Sequence, residues 1–420
     1  MIRAVKGTRD ILPPSSGVWN RVEEAARRVF AVYNYREIRT PIFEETALFA
    51  RGVGEETDIV SKEMYTFEDR DGSSLTLRPE ATASVIRAYI EHRLDQVPGI
   101  KKLYYAGPMF RRERPQKGRY RQFYQIGAEA IGSESPAVDA EVIEMVVELL
   151  SGAGLSGFIT YLNSVGCPAC RSKFVALLRE RLAHVAPKMC ADCQRRAAAN
   201  ALRVLDCKNP EDQDIIEGLP SILDHLCEPC RLHFEAVKSY LAGRDIGFEV
   251  RPRLVRGLDY YTRTTFEVVH GSLGAQDSVL GGGRYDGLAE SLGSRVAAPG
   301  IGFSIGEDRL VMAVETAHPE AARAALDLFI APLGEAAFRH CALLARDLRR
   351  RGAAVEIAPG GKLKRLMELA DKSGARFTLI VGDEEIAAGN YSLKEMSTGE
   401  QAAVSREALA ARIAPGSNKN

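Results

Sequence analysis

Residues 103–131, LYYAGPMFRRERPQKGRYRQFYQIGAEAI, limit the fold more than any other stretch of the chain. Apolar and aromatic residues flank a charged, turn-prone centre containing Pro115 and Gly118, which predicts two strands joined by a basic loop. On the second strand, alternation puts Phe123, Gln125, Gly127 and Glu129 on one face, with Tyr124, Ile126, Ala128 and Ala130 on the other. An amide and a carboxylate either side of a glycine make poor core, because such groups are rarely buried without partners. They suit a pocket floor: Gly127 leaves room, while Gln125 and Glu129, about 13 Å apart along the strand, hold two ends of a small polar ligand. By the same rule Met109, Arg111 and Glu113 share a face of the first strand. The loop sets Arg112, Arg114, Lys117, Arg119 and Arg121 against Glu113 alone. That suits polyphosphate or a nucleic-acid backbone, the plainer reading being an edge hairpin with a solvated tip.

Such a pocket needs a sizeable scaffold. A chain of 420 residues, 45% hydrophobic and 27% charged, supplies two or three domains. Lys plus Arg and Asp plus Glu are each 56, so no global field draws the chain to nucleic acid and any such binding rests on local patches. The amino-terminal residues lack the apolar run of a signal peptide, and no apolar stretch of about 18 residues suggests a membrane span. A cytoplasmic location is therefore expected. Eight cysteines, seven of them clustered, argue for thiols or metal over a secreted disulfide scaffold.

Other stretches also carry polar groups at element ends. Residues 18–33 have helical spacing, whereas residues 35–44 alternate like a strand, placed at an edge or interface by Pro41. Residues 64–78 read as a hairpin running into Pro79, Glu80, Ala81 and Thr82 before a helix, with Thr82 either a cap or a ligand. Residues 137–151 are a second helix and 155–163 a strand. Residues 167–230 hold three CxxC pairs plus Cys207 in a helical segment. Cys167, Cys170, Cys190, Cys193, Cys207, Cys227 and Cys230 either bind structural zinc as one cluster or stand as reduced thiols. The turn at 256–263 can bring Arg256, Asp259, Tyr260 and Tyr261 together, and LGGGRYDGL (280–288) reads as a glycine-rich turn. Residues 297–310 form a strand entering a helix. Arg309 in its first turn opposes the helix dipole unless an anion binds there. The alanine-rich stretch 315–326 marks a junction, after which strands and helices alternate as in a small α/β domain with a mainly parallel sheet; Cys341 belongs to its helical core. Lys362, Lys364 and Arg365 offer it a phosphate patch.

FRRERPQKGRYRQFYQIGAE resembles motif 2 of class II aminoacyl-tRNA synthetases, and of their histidyl family in particular. KGTRDILP, the Pro41 strand, RPEAT, RGLDYY, GGGRYDGL and the Arg309 helix follow that family's pattern in order, with Ala81 where a glycine is common. The resemblance implies an α+β catalytic domain with a mainly antiparallel sheet flanked by helices (1–325), interrupted by the cysteine-rich helical insertion (165–248), then an anticodon-binding-like α/β domain (326–420). It implies activation of L-histidine by ATP and transfer to the 3′ end of tRNA(His), in a homodimer. Glu80, Thr82 and Gln125 would then hold the amino group, Glu129 and Tyr261 would read the imidazole, and Tyr260 and Tyr285 would lie near it. Arg111 and Arg256 would flank the α-phosphate and carboxylate as the catalytic pair, Glu113 would meet the adenine side, Arg309 the γ-phosphate, and Mg2+ the β and γ oxygens; no residue is assigned as a metal ligand. A histidine-sensing regulatory subunit of ATP phosphoribosyltransferase is the alternative and should lack the last domain. A nucleic-acid-binding scaffold would have no use for the Gln125 and Glu129 pocket.

Overall fold

Helical spacing builds α1 (Ser15–Val32), which buries Val18, Trp19, Val22, Ala25, Ala26 and Phe30 along one stripe. The computed structural model describes residues 2–55, 57–274, 277–319 and 326–413. The chain divides into two compact units, Met1–Pro319 and Glu320–Asn420.

The single strand expected over 35–44 is instead two short ones, β1 (Arg36–Glu37) and β2 (Phe43–Glu45), which join different sheets. Pro41 lies between them, and the Arg78 guanidinium donates to the Thr40 carbonyl at 3.1 Å, so the backbone there is held by a side chain and leaves the ladder. After α2 (Thr46–Val53), β3 (Tyr65–Glu68) and β4 (Ser74–Leu77) make the expected hairpin and complete a three-stranded sheet ordered β2-β4-β3. Next come α3 (Thr82–Glu91), β5 (Lys101–Phe110), β6 (Gln122–Ile131), α4 (Pro136–Gly152) and β7 (Ile159–Ser164), the last starting later than its alternation suggested. Arg111 and Glu113 fall beyond the end of β5, in the loop, so neither shares a strand face with Met109.

Between β7 and β8 (Glu249–Val250) lie the helices α5 (Pro168–Val185), α6 (Ala191–Ala199), α7 (Gln213–Glu217) and α8 (Glu228–Ala242). The first three share a core of Phe174, Leu178, Leu182, Val204 and Ile216, whereas α8 packs against α4. The chain re-enters the large sheet with β9 (Thr262–Val269) and β10 (Ser278–Arg284), then α9 (Leu288–Ser291), β11 (Gly300–Gly306) and α10 (Glu307–Ala317). The eight strands run β1-β5-β6-β11-β10-β9-β7-β8, antiparallel throughout except for the two edge pairs.

Gly281, Gly282 and Gly283 belong to β10, not to a turn. Their glycine character answers close approach. A Cβ on Gly281 would stand 1.8 Å from Arg256 Nη2, one on Gly282 2.5 Å from the Phe266 ring, and one on Gly283 2.8 Å from the Tyr261 ring. The strand ends in Arg284, which is fully buried and forms an ion pair with the equally buried Asp139 of α4, reaching Asp286 at 2.8 Å as well.

The second unit contains β12 (Leu328–Pro332), α11 (Glu335–Arg350), β13 (Val355–Ile357), α12 (Leu363–Ser373), β14 (Phe377–Val381), α13 (Asp383–Ala388), β15 (Asn390–Glu395), β16 (Gln401–Ser405) and α14 (Arg406–Ile413). Its sheet, β13-β12-β14-β15-β16, is mixed: the first three strands are parallel and the last two pair antiparallel. Short α13 is followed by β15 and β16 as a hairpin, which no helix-length crossover separates. Cys341 is buried in this unit's core, as its spacing implied.

Removing one partner of a buried ion pair leaves the other charge uncompensated. Arg284→Met should therefore lower urea-unfolding stability by about 3–5 kcal/mol, and a loss below about 1 kcal/mol would mean that Asp139 finds another partner.

Candidate active site

Strand β6 and the start of α3 meet at one buried carboxylate. Glu129 has no exposed surface; Thr82 Oγ1 donates to its Oε1 at 2.7 Å and the Tyr285 hydroxyl donates to its Oε2 at 2.6 Å. Burial pushes its carboxyl up to about 8, the two hydroxyl bonds pull the other way, and neighbouring Glu80 adds to the rise. Opposite Glu129 in the β6–β11 register stands Gly302, where a Cβ would sit 1.7 Å from Oε2. Glycine is obligatory at that position.

Thr82 is not the cap of α3. Its hydroxyl is committed to Glu129, and the helix start is held by Glu80, whose two carboxylate oxygens accept the amides of Thr82 at 2.8 Å and Ala83 at 2.9 Å. A charged acceptor at that end is favoured by the helix dipole. Gly127 does leave room, but for a neighbour and not for a ligand: its cross-strand partner Tyr105 fills the space, with the hydroxyl 2.3 Å from where a Cβ would be.

Above this floor Glu80, Thr82, Arg111, Gln125, Arg256, Tyr260, Tyr261 and Tyr285 line one cavity of about 130 Å³. A larger hollow of about 610 Å³ between α5 and α6 is walled mainly by Leu182, Pro187 and alanines, with Arg179 and Gln194 as its polar residues. Gln125 Oε1 and Arg256 Nε are buried at the cavity with no partner among the described residues, an arrangement that calls for a polar ligand. Arg256 Nη1 donates to Glu267 Oε1 at 2.6 Å. Burial disfavours its charge, but Glu267 first, then Tyr261 and Asp206, more than offset that and fix the guanidinium as a cation. Arg111 is aimed by its Nε bond to the Pro79 carbonyl at 2.9 Å and by its stacking on Phe123, 5.1 Å from the ring centroid.

Glu129 lies beneath the cavity rather than on its wall, and Glu113 and Arg309 lie outside the lining. These last two are near one another: Glu113, Arg119, Asp277 and Glu267 all act electrostatically on Arg309, whose charge is disfavoured first by burial. The basic loop closes over that side, since a Cβ on Gly118 would lie 3.7 Å from Arg309 Cγ. Arg112, Arg114, Lys117 and Arg119 are exposed.

Two positioning residues escaped the sequence reading. Arg9 donates to Asp308 Oδ1 at 2.7 Å, lies 4.3 Å over the Tyr120 ring, and shares Asp308 with the Tyr124 amide, so KGTRDILP fastens the loop to the start of α10. Arg171 Nη1 donates to the carbonyls of Asp259 at 3.2 Å and Tyr261 at 2.7 Å. No periodicity marks either one; only their place inside or beside a motif could have drawn attention.

Comparison with known proteins decides among the readings that this geometry allows. The family model for histidyl-tRNA synthetase matches residues 7–310, and that for an anticodon binding domain matches residues 327–414. The chain belongs to the histidyl-tRNA synthetase family. It is 73% identical to the histidine–tRNA ligase of Solibacter usitatus (strain Ellin6076), covering 100% of both chains, and 58% identical to that of Koribacter versatilis (strain Ellin345), covering 98% of this chain and 95% of the other. The apo histidyl-tRNA synthetase of S. aureus superposes with a TM-score of 0.79 at 39% identity, over 98% of this chain and 100% of that one. The large antiparallel sheet with its flanking helices, and the separate α/β unit, are thus those of the synthetase family.

The raised Glu129 carboxyl makes stability depend on pH in a defined direction. The unfolded chain releases this proton in the ordinary carboxylate range and the folded chain only near 8, so the group favours folding below that range and loses its contribution as pH rises towards about 8. Glu129→Gln cannot ionise, and its Tm relative to the parent chain should climb between about pH 5 and pH 8; a constant gap across that interval would contradict the burial of this carboxyl.

Proposed function

We propose that the chain is a histidine–tRNA ligase, which condenses L-histidine with ATP and then esterifies the 3′ end of tRNA(His). The observation that carries this reading is the cavity itself, where two arginines and a set of oxygen acceptors from separate stretches of the chain line one space.

In the first step an oxygen of the histidine carboxylate attacks the α-phosphorus in line. The bond from that phosphorus to the β-phosphate oxygen breaks, giving histidyl-adenylate and pyrophosphate. No covalent enzyme intermediate is needed, so the protein's task is to align the two anions and stabilise the charge that builds between them. Arg111 and Arg256 both line the cavity and fit that task, the first aimed by Pro79, the second by Glu267. Glu80 keeps lone pairs beyond its two amide bonds and, with Gln125 Oε1 and Thr82, accepts the substrate ammonium. Tyr261 and Tyr285 of the cavity wall read the imidazole, with Glu129 beneath them as the acceptor that orients Tyr285. Phenol hydroxyls beside the ring nitrogens discriminate against apolar amino acids of similar size, which offer them no partner. Tyr260 packs 6.0 Å from the Tyr285 ring and supports that wall.

The polyphosphate would extend towards Arg309 under the basic loop, with Glu113 on the adenine side. ATP is used with Mg2+ in this class. Glu267, beside both Arg256 and Arg309, is a carboxylate of the right hardness to hold Mg2+ directly or through water, where the ion would neutralise β and γ oxygens. In the second step the terminal ribose hydroxyl of the tRNA attacks the acyl carbon and AMP leaves. The exposed arginines of the loop supply phosphate contacts for the acceptor end. The 326–420 domain, with exposed Lys362, Lys364 and Arg365, takes the anticodon stem. Exposed Ile42 and Phe43 next to Pro41 support a homodimer interface there. No helix among the described residues is long and apolar enough to cross a membrane. A histidine-sensing regulatory subunit has less support, because an anticodon-binding domain matches residues 327–414, most of the second unit.

Histidine-dependent ATP–pyrophosphate exchange followed by charging of tRNA(His) tests the proposal; histidine binding without exchange would favour a sensor instead. Arg256→Ala should lower the exchange rate by about 10²-fold or more with the circular dichroism spectrum unchanged. A near-normal rate would remove Arg256 from the reaction.

A further inference from the structure

The seven clustered cysteines do not form one group. Four of them, Cys167, Cys170, Cys227 and Cys230, bring their sulfurs together, and all four ligand atoms lie within 4.8 Å of one another. Cys190, Cys193 and Cys207 make a second group with a carboxylate oxygen of Asp212, under the same limit. Spacing alone could not divide the seven in this way, and it gave no hint of Asp212.

We infer that the insertion carries two separate tetrahedral zinc sites, a four-thiolate site at Cys167, Cys170, Cys227 and Cys230 and a three-thiolate, one-carboxylate site at Cys190, Cys193, Cys207 and Asp212. The distances decide for a single ion in each. Zinc–sulfur bonds of about 2.3 Å at tetrahedral angles set sulfur–sulfur edges of about 3.8 Å. Cys167 and Cys170 are 3.6 Å apart, Cys167 and Cys227 3.9 Å, and Cys190 and Cys207 3.8 Å. All are free thiols, and the spaces enclosed suit one ion rather than a multi-iron cluster. Three-thiolate and four-thiolate donor sets of this shape select zinc over harder divalent ions.

The surroundings are built for thiolates. Each CxxC pair opens a helix, with Cys167, Cys190 and Cys227 as the caps of α5, α6 and α8. Backbone amides reach the sulfurs: the Cys227 amide donates to Cys170 Sγ at 3.0 Å and the Asn209 amide to Cys207 Sγ at 3.4 Å. In the second site Asp212 is held by the Cys190 amide at 3.0 Å and lies 3.3 Å from Cys207 Sγ. Such oriented second partners are what fixes ligands around a metal.

The sites also have a task. Cys170 is followed directly by Arg171, which grips the Asp259 and Tyr261 carbonyls, and Asn200, at the end of α6, donates to Asp259 Oδ1 at 3.3 Å. Tyr260 and Tyr261 of that loop line the cavity. The two ions therefore brace the loop that forms one wall of the amino-acid pocket, with Arg171 as a positioning residue.

Metal analysis of the full chain, purified without chelator from cells grown with zinc, should give two zinc ions per chain. Cobalt(II) titration of the chelator-treated protein should saturate at two equivalents, with the visible bands of tetrahedral cobalt and thiolate charge transfer to match. Cys170→Ser with Cys230→Ser, and separately Cys193→Ser with Cys207→Ser, should each reduce the content to one. Zinc-free protein that also gives no thiolate–cobalt bands would overturn both sites, whether or not the serine variants fold. The brace rests on the ligase reading and is tested apart from metal content. Arg171→Ala should raise the KM for histidine severalfold while kcat and the KM for ATP stay near their parent values. An unchanged histidine KM would overturn the brace and leave the metal assignment standing.

Discussion

A carboxylate buried with no exposed surface must be held by its neighbours, and Glu129 is held from two sides by Thr82 and Tyr285. That requirement ties three distant pieces of chain to one point: the first residue of α3, the far end of β6, and the residue after β10. Their convergence sets the positions of the rest. With Thr82 committed below, the start of α3 needs another acceptor, and Glu80 supplies it while facing the cavity. With a carboxylate filling the space across the ladder, Gly302 can carry no side chain.

The same logic of occupied space explains the glycine-rich strand. Gly281, Gly282 and Gly283 in turn make way for Arg256, Phe266 and Tyr261, of which the first and last face the cavity. Arg256 therefore lies close against a strand that has no side chains to lift it, and Glu267 from the adjoining strand sets its orientation. Rigid sheet beneath, charged groups above and a loop braced by the insertion make a preorganised site of the kind that electrostatic catalysis requires.

Much of this was legible in the sequence wherever residue type and period speak about a residue's own surroundings. The β5–β6 hairpin, the helix stripes and the polar residues at element ends could be read because alternation and capping are local. What escaped depends on partners remote in the chain. Glycines written in a row look like a turn until Phe266 and Arg256 are found against them. Gly127 looks like space for a ligand until Tyr105 is found across the ladder. Seven cysteines look like one cluster until the helices divide them, and Arg9 is one cation among many until Asp308 is seen beside it. Pro41 signalled an edge but not the change of sheet, beside which the guanidinium of Arg78 holds the Thr40 carbonyl.

The central claim is that the amino-acid pocket is organised about the Glu129 carboxyl, which holds Thr82 and Tyr285 of its wall in place. Calorimetric titration of histidine into the parent chain and into Glu129→Gln tests this without ATP, tRNA or turnover. The account predicts that the substitution weakens histidine binding by about 10-fold, the worth of one misplaced hydrogen bond in the wall. Equal affinity in a folded variant would contradict it.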